Sequence, residues 1–315
     1  MSAMLEIRNL VKCFGPLTAV DGISFSVKKG EVLGFLGPNG AGKSTTMKVV
    51  TGFLHAERGS VTVCGHDVEA APLAARRHIG YLPEGAPAYA DMTPDSYLAF
   101  IAEVRGLEGA AAEAAIERAI DLVSLQAVRH QVIDTLSKGF KRRVGLAQAI
   151  LPDPDVLILD EPTDGLDPNQ KHDMRVLIRR MSENKAIVIS THILEEVEAV
   201  CSRAIIIDRG RIVADGTPAE LLARAPGHNA VTIVLDKADA AAAAKALKAL
   251  DGIAKVVAEK PRGGTVRLRI APRDGRPVLA PVSAALHEGG WTVGELGSTQ
   301  GSLDDVFHAI TTGAA

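Results

Sequence analysis

The stretch FLGPNGAGKST, residues Phe35–Thr45, decides the fold of this chain. An apolar run, Val32 to Leu36, stands before it, and a helix-compatible run, Thr45 to Thr51, follows it. Glycine allows backbone conformations that a Cβ atom forbids. The stretch therefore predicts a tight loop that joins a buried strand to a helix.

The loop matches the pattern G-x-x-x-x-G-K-[ST] over Gly37–Ser44. In this pattern backbone N–H groups surround phosphate oxygens, Lys43 directs a positive charge at the β- and γ-phosphates, and the Ser44 hydroxyl can ligate Mg²⁺. The N-terminus of the next helix faces the same anion. A purely structural turn is the alternative interpretation at this point. The residues predicted to bind the nucleotide in the loop are Gly37, Pro38, Asn39, Gly40, Ala41, Gly42, Lys43, Ser44 and Thr45.

A second motif, VLILDEP, narrows the chemistry. It places Asp160 at the end of an apolar strand, where the carboxylate can hold Mg²⁺, and Glu161 next to it, where the side chain can take a proton from water. Solvation of a strand end is the alternative for two adjacent acids. Together with the phosphate loop, the pair predicts a nucleotide hydrolase.

Composition limits the class of protein. The 315 residues carry a net charge of -3, and without a basic stripe they favour no nucleic-acid partner. Three distant cysteines, Cys13, Cys64 and Cys201, favour buried reduced thiols over disulfides or a metal site, and hence the cytoplasm. With no secretion signal and no apolar window of about 18 residues, we expect a chain that is neither secreted nor membrane-spanning by itself.

The order of patterns indicates an α/β domain. Residues 5–63 read as strands with turns at Gly15-Pro16 and Asp21-Gly22, and residues 93–132 read as a helical insertion. Three apolar runs, at residues 156–160, 186–190 and 204–208, alternate with helices and predict a parallel sheet covered on both faces. A hairpin across Arg209-Gly210 closes this part of the chain.

A second domain is predicted after the Pro- and Gly-containing stretch at residues 224–229. Its order of strand, helix, strand, strand, helix, strand and a last short helix suggests a small α+β, ferredoxin-like fold. We therefore expect a first domain over residues 1–226, with a helical subdomain at about 93–150, and a second over 229–315.

The first 220 residues or so resemble the nucleotide-binding subunits of ABC transporters, with six motifs in the family's order. Besides the phosphate loop and VLILDEP, these are a Q-loop, a signature sequence, a D-loop and a switch histidine. An aromatic residue also occupies the place where the family stacks a ring on adenine. The aromatic position is Phe14, and the Q-loop position is YLPE with Glu84. The signature is LSKGF with Ser137, Lys138 and Gly139, the D-loop is GLDP with Gly165, Leu166 and Asp167, and the switch histidine is His192. The resemblance implies a P-loop cassette with a mixed sheet, an antiparallel β subdomain and a helical subdomain.

The resemblance also implies how the site works. ATP lies between two copies of the chain, so that Ser137 and Gly139 serve the site opposite their own Lys43. Glu161 and Lys43 are the implied catalytic residues, with His192 as a sensor of the γ-phosphate. Ser44, Asp160 and Glu84 are the implied ligands of Mg²⁺.

Three positions depart from the commonest family pattern. Lys138 and Phe140 replace Gly and Gln in the signature, and Glu84 replaces Gln in the Q-loop. The variant signature, GLDPNQ and the closing SLDDVF resemble a bacterial exporter subgroup linked to gliding motility, antibiotic efflux and copper-site assembly for nitrous oxide reduction. Loss of activity is the alternative, but Lys43, Asp160, Glu161 and His192 are all retained.

The implied partners are a second copy of this chain and separately encoded membrane permease subunits, met on the cytoplasmic face of the inner membrane. The rival class is an ABC-type ATPase acting on nucleic acid or ribosomes, which usually carries two cassettes or a long coiled coil. The C-terminal domain is expected to serve dimerisation or docking, with metabolite binding as the alternative. The transported substance is not encoded in this chain.

Overall fold

A computed structural model describes residues 3–273, 275–299 and 301–311. The chain divides into two compact units, Met1–Thr217 and Pro218–Ala315. This division falls shortly before residue 226, the end that we predict for the first domain. The helix Pro218–Leu222 belongs to the second unit, in which it contacts the last helix.

The strands and helices of the first unit alternate along most of its length. In chain order they are β1 (Ala3–Phe14), β2 (Leu17–Lys28), β3 (Val32–Leu36), α1 (Lys43–Val50), β4 (Arg58–Val63), β5 (His66–Asp67), α2 (Pro72–Arg77), β6 (Ile79–Leu82), α3 (Pro94–Val104), α4 (Gly109–Val123), α5 (Lys138–Ile150), β7 (Val156–Asp160), α6 (Pro168–Ser182), β8 (Ala186–Thr191), α7 (Leu194–Val200), β9 (Arg203–Asp208) and β10 (Arg211–Gly216).

A six-stranded sheet forms the centre of this unit, in the order β10-β9-β3-β8-β7-β6. The strands from β9 to β6 run parallel, and only β10 is antiparallel, through its hairpin with β9. Every residue of β3, β7 and β8 is buried, as expected for strands covered on both faces. The predicted parallel sheet and the hairpin across Arg209-Gly210 are both confirmed.

A four-stranded antiparallel sheet, in the order β2-β1-β4-β5, packs against the central sheet. The two sheets share one apolar core, in which the rings of Phe25 and Phe35 lie 5.4 Å apart. The turn that we predict at Asp21-Gly22 is wrong. β2 continues through it, and the register shifts from Leu10–Ile23 to Val11–Asp21, so that Gly22, with φ 72°, forms a β-bulge in the strand.

The helical segment begins where the sequence predicts. Thr93 caps α3 in a capping box with Ser96, and Pro94 takes the first helical position. Arg129, which follows α4, bridges Asp95 at 2.6 Å and Glu117 at 2.7 Å. These ion pairs join the connection after α4 to α3 and α4.

The second unit has the predicted order of elements. They are α8 (Pro218–Leu222), β11 (Ala230–Asp236), α9 (Lys237–Lys248), β12 (Ile253–Ala258), β13 (Thr265–Pro272), α10 (Leu279–Glu288), β14 (Val293–Thr299) and α11 (Leu303–Thr311). The sheet order is β12-β13-β11-β14, with every pair antiparallel. A separate apolar core lies between this sheet and the helices α9 and α10.

The three cysteines are free thiols, but only Cys201 is buried. Cys13 and Cys64 are partly exposed, so the expectation of three buried thiols is wrong. Cys64 lies in the turn between β4 and β5 with a positive φ of 48°, which lifts it out of the alternating pattern of the strand. None of the helices within residues 3–273, 275–299 and 301–311 has both the length and the hydropathy needed to cross a bilayer.

Candidate nucleotide site

The predicted site residues follow three neighbouring strands. β8 lies between β3 and β7, and all three run parallel, so their carboxyl ends meet at one edge of the sheet. The phosphate loop follows β3, Asp160 ends β7, and His192 follows β8. Positions far apart in the sequence are thereby brought to one edge, where ligands bind in α/β sheets.

Backbone packing explains the glycines of the loop. A Cβ atom on Gly37 would collide with the Ile207 carbonyl oxygen, and one on Gly42 with the Ala19 carbonyl oxygen. Gly42 also has a φ of 105°, which disfavours any side chain. The loop is held further by the Gly210 N–H, which donates to the Ala41 carbonyl at 2.9 Å. These contacts favour a built loop over a generic turn.

The Lys43 ammonium is buried inside the loop. It donates to the Gly37 carbonyl at 2.7 Å and to the Pro38 carbonyl at 3.3 Å. Burial lowers the pKa of Lys43, whereas the negative charges of Glu161 and Asp160 act in the opposite direction. Two main-chain carbonyls of the loop therefore hold the Lys43 ammonium, and the negative charges of Glu161 and Asp160 lie nearby.

Asp160 is linked to the loop and to the neighbouring strand. The Ser44 hydroxyl lies 3.4 Å from Oδ1 of Asp160, and the Ser190 hydroxyl donates to the same oxygen. Ser190 was missed at the sequence level. The signal was its position at the end of the apolar run 186–190, because the register of β7 and β8 pairs Asp160 with Ser190.

Glu161 has the strained backbone that marks many active sites. Its φ is 49°, a left-handed conformation that is uncommon for a residue with a side chain. Its N–H donates to the Ser190 carbonyl at 3.1 Å, which fixes the turn. Both of its carboxylate oxygens lie 3.0 Å from Nδ1 of His192.

Burial raises the pKa of Glu161, while the hydrogen bond from His192 and the charges of His192 and Lys43 act in the opposite direction. A carboxylate with a raised pKa is a stronger proton acceptor than an exposed one. The pair therefore has the chemistry of a general base held by a second side chain.

Glu84 lies beside the same edge of the sheet. A cleft of about 510 Å³ is lined by Ser44, Lys48, Tyr81, Pro83, Glu84, Gly85 and Asp160. Among these lining residues, Ser44, Glu84 and Asp160 carry side-chain oxygen atoms, the hard donors that Mg²⁺ prefers. The residues that we predict as Mg²⁺ ligands therefore share one cleft.

The signature residues contact the D-loop of their own chain. Ser137 caps α5 and accepts a hydrogen bond from the Phe140 N–H at 3.4 Å. The Lys138 ammonium lies 3.1 Å from Oδ2 of Asp164, and Gly139 packs against the Gln170 side chain. The signature residues Lys138 and Gly139 thus contact the segment that precedes α6 and the first turn of that helix.

The D-loop residues have clear local roles. Asp167 caps α6 by accepting a hydrogen bond from the Gln170 N–H at 2.9 Å, and Leu166 is buried. Gly165 has a φ of 69°, and a Cβ atom there would collide with the Lys138 side chain. The loop is therefore shaped to accept the side chain of Lys138.

Arg142 was also missed at the sequence level. Its side chain is 3% exposed and Nη2 lies 3.9 Å from Oδ2 of Asp164. Nη1 is buried and has no hydrogen-bond partner. Burial lowers the pKa of Arg142, and the negative charges of Asp164, Glu161 and Glu84 oppose this. Its place within a run of basic residues gave no sign that this side chain is buried.

Phe14 remains exposed at the end of β1. The ring is 47% exposed, and the Lys12 ammonium lies over it at 5.3 Å from the centroid. An exposed aromatic face suits stacking on a base.

The matching family model is that of the ABC transporter, and it covers residues 20–164. Nod factor export ATP-binding protein I of Burkholderia orbicola is 38% identical over 232 residues, which cover 73% of this chain and 76% of the relative. Linearmycin resistance ATP-binding protein LnrL of Bacillus subtilis is 36% identical over 233 residues, which cover 74% of this chain and 75% of that protein.

Two solved structures of ABC transporter subunits share the fold of this chain. A structure described as the ATP binding subunit of an ABC transporter superposes with a TM-score of 0.64 at 30% identity, covering 69% of this chain and 91% of the other. The cbiO1 subunit of Clostridium perfringens, part of the ABC transporter complex cbiONQ, has a TM-score of 0.64 at 26% identity, covering 71% and 92%.

Proposed function

The chain belongs to the ATP-binding subunits of ABC transporters, which bind ATP and couple its hydrolysis to transport with membrane components, and from this premise we propose that two copies close on two ATP molecules. Lys43, Asp160, Glu161 and His192 form one half of each site. Ser137 and Gly139 of the second copy supply the other half.

The observation that carries the proposal is that Lys43, Asp160 and Glu161 meet at the carboxyl ends of β3 and β7, the two strands that flank β8. In this arrangement Lys43 faces a phosphate tail from one side, while Asp160 is placed to hold Mg²⁺ and Glu161 to accept a proton from water. The N-terminus of α5 is a second helix end suited to an anion. Within its own chain, Lys138 and Gly139 at this helix end contact Asp164 and Gln170. A second copy would bring that helix end to the open side of the nucleotide.

Glu161 acts in this proposal as the general base. Its carboxylate accepts a proton from the attacking water, and His192 holds the carboxylate through the contacts at 3.0 Å. Lys43 stabilises charge on the γ-phosphate once its ammonium turns from the loop carbonyls to the phosphate oxygens. Loss of the γ-phosphate would remove the charge shared across the interface and reopen the dimer.

Mg²⁺ is the proposed cofactor. Ser44, Asp160 and Glu84 would hold it, because all three carry side-chain oxygens and line the same cleft. When bound, the ion supplies positive charge that neutralises the phosphate oxygens. The acid in place of the usual glutamine adds one negative charge to this set.

The proposed membrane partner is a separately encoded permease. A groove of about 680 Å³ runs from Phe53 and Tyr81 to Ile101 and Val104 of the helical segment. Phe53 is 70% exposed and Val104 is 65% exposed. Arg76, Arg77 and Arg105 line the same groove, so it suits an apolar segment that carries an acidic residue.

We assign the permease-docking surface to this groove, because Tyr81 lies three residues before Glu84 and α3 begins at Pro94. The chain would then be a peripheral protein on the cytoplasmic face of the inner membrane. The names of the relatives favour a transporter subunit over the rival ATPase that acts on nucleic acid or ribosomes. Export is the proposed direction, since relatives are named for export and for resistance.

For the second unit we propose dimerisation or docking, with metabolite binding as the competing role. Deletion of residues 229–315 separates the two. Loss of the ATP-dependent dimer, with the remaining chain folded by circular dichroism, supports dimerisation. A dimer that is unchanged by the deletion but responds to a metabolite in the full chain supports the alternative.

The substitution Glu161→Gln tests the central proposal. The amide cannot accept the proton, so we expect intact ATP binding, loss of turnover on the order of 10²–10⁴-fold, and an ATP-bound dimer in size-exclusion chromatography. Glu183→Gln, a change after the end of α6, is the matched control and should behave as the parent. Hydrolysis by Glu161→Gln at the parental rate would contradict the role of Glu161, and a monomer with bound ATP would contradict the dimer.

A further inference from the structure

Three chemically reactive side chains meet at the opposite edge of the central sheet. Cys64 lies in the turn between β4 and β5, His78 follows α2, and Asp155 precedes β7. Asp160, in the nucleotide site, is at the other end of β7. With about 3.3 Å per strand residue, the two sites are roughly 16 Å apart along that strand.

The three side chains are close enough to share an ion. One ligand atom from each of Cys64, His78 and Asp155 lies within 4.8 Å of the other two. Nδ1 of His78 and Oδ2 of Asp155 are 2.6 Å apart. The imidazole is therefore already oriented by its acidic neighbour, with the thiol alongside.

A second histidine flanks this group. The rings of His66 and His78 are stacked, with centroids 5.4 Å apart and an angle of 14° between their planes. His66 lies in β5, two residues after Cys64. The stacked imidazole of His66 is thus a further nitrogen donor beside the group.

We propose that Cys64, His78 and Asp155 bind a zinc ion. A thiolate, an imidazole and a carboxylate form the mixed donor set that Zn²⁺ accepts, whereas Mg²⁺ and Ca²⁺ prefer oxygen donors alone. Three protein ligands leave the fourth tetrahedral position to water or to His66. On binding, the S–H bond breaks, a zinc–sulfur bond forms, and the proton passes to solvent.

The three residues of the proposed zinc site come from segments of two different sheets. Cys64 belongs to the hairpin of the antiparallel sheet, and Asp155 stands at the entrance to a strand of the central sheet. His78 contacts both, because its ring stacks on His66 of the hairpin and its carbonyl accepts a hydrogen bond from the Val156 N–H at 2.9 Å. A bound ion would cross-link the two sheets and stabilise the first unit.

A Co²⁺ titration of the full chain, without a polyhistidine tag and after chelator treatment, tests the site. We expect one equivalent of Co²⁺ to produce thiolate-to-cobalt charge-transfer absorption, and Zn²⁺ to displace it. The acids and the histidine of the nucleotide site offer no thiol and so do not produce this band. Cys64→Ser should abolish the absorption, whereas Cys13→Ser, at the other partly exposed cysteine, should retain it. Absence of the band from the parent, or its persistence in Cys64→Ser, would overturn the proposal.

A second measurement follows the reactivity of the Cys64 thiol. Alkylation of Cys64 in the parent, followed by mass spectrometry, should slow by about 10-fold or more when Zn²⁺ is present, with Cys13 as the internal reference. Asp155→Asn should weaken Zn²⁺ binding by about 10-fold or more, since ligands and their partners typically contribute at this level. Equal alkylation of Cys64 with and without Zn²⁺ would rule out the site.

Discussion

Nδ1 of His192 lies 3.0 Å from each carboxylate oxygen of Glu161. The histidine thus contacts both oxygens of the acid at the same distance. A symmetric contact restrains the rotation of the carboxylate. It also opposes the effect of burial on the pKa of Glu161.

The first prediction concerns this pair. Turnover needs the Glu161 carboxylate, so the rate should fall as the pH drops through its raised pKa. His192→Ala removes a contact that lowers this pKa, so the pKa should rise further and the acidic limb of the pH–rate profile should move to higher pH. The rate should also fall, on the order of 10²-fold. Phosphate release at saturating ATP, measured across pH, gives both quantities.

His172→Ala is the matched control, because His172 is an exposed residue of α6. Its profile should overlay that of the parent. The contribution of Glu161 to stability changes with pH in the direction opposite to turnover. The reason is that the carboxyl group of Glu161 binds its proton more tightly in the folded than in the unfolded chain. The free energy of unfolding should therefore fall as the pH rises from the ordinary value of 4.5 through the raised pKa. An acidic limb that stays in place in His192→Ala would argue against a direct coupling of the two side chains.

Lys43→Ala should weaken ATP binding itself. The substitution removes the only cationic side chain of the phosphate loop and leaves the Gly37 and Pro38 carbonyls without their donor. We expect a loss of affinity of about 10-fold or more, since hydrogen bonds to a charged group contribute about 1.5–3 kcal/mol. Fluorescence titration with a labelled ATP measures it. Lys28→Ala, an exposed lysine at the end of β2, is the control, and equal affinities for the two variants would refute the assigned role of Lys43.

Glu84→Gln should reduce the dependence of ATP binding on Mg²⁺. Glu84 shares a cleft with Asp160, so removing its charge lowers the repulsion of the phosphate oxygens. We expect ATP affinity without Mg²⁺ to rise several-fold, and affinity with Mg²⁺ to change less. Paired titrations with and without a chelator give the ratio of the ATP affinities with and without Mg²⁺. The control is Glu69→Gln, because Glu69 is an exposed acid on another part of the first unit, and this change should leave the ratio unaltered. If Glu84→Gln also leaves the ratio unaltered, the charge of Glu84 does not act on the phosphates.

Asp164→Asn should destabilise the first unit more than Lys138→Met does. Asp164 is the acidic partner of Arg142, whose side chain is 3% exposed. Leaving a buried cation without its partner costs about 1–3 kcal/mol of unfolding free energy. The exposed pair of Lys138 and Asp164 contributes about 0–1 kcal/mol. Urea unfolding of both variants compares the two costs, and equal effects would show that Arg142 does not depend on Asp164.

The sequence by itself determined the local parts of the nucleotide site. The glycines of the phosphate loop, the apolar runs that become β3, β7 and β8, and the acids that follow β7 are all encoded within short windows. Backbone conformation and strand burial depend on neighbouring residues and on the alternation or continuity of apolar side chains. The same reasoning fails at Asp21-Gly22, because a glycine of positive φ fits a β-bulge as well as a turn, and only pairing with β1 distinguishes them.

The tertiary structure alone decided which distant residues meet. Ser190 reaches Asp160 because β7 and β8 pair in parallel register, and Arg142 is buried because α5 packs its basic segment toward Asp164. Cys64, His78 and Asp155 come together from three separate connections. No short window of sequence carries this information, since such contacts arise from the packing of whole strands and helices against one another.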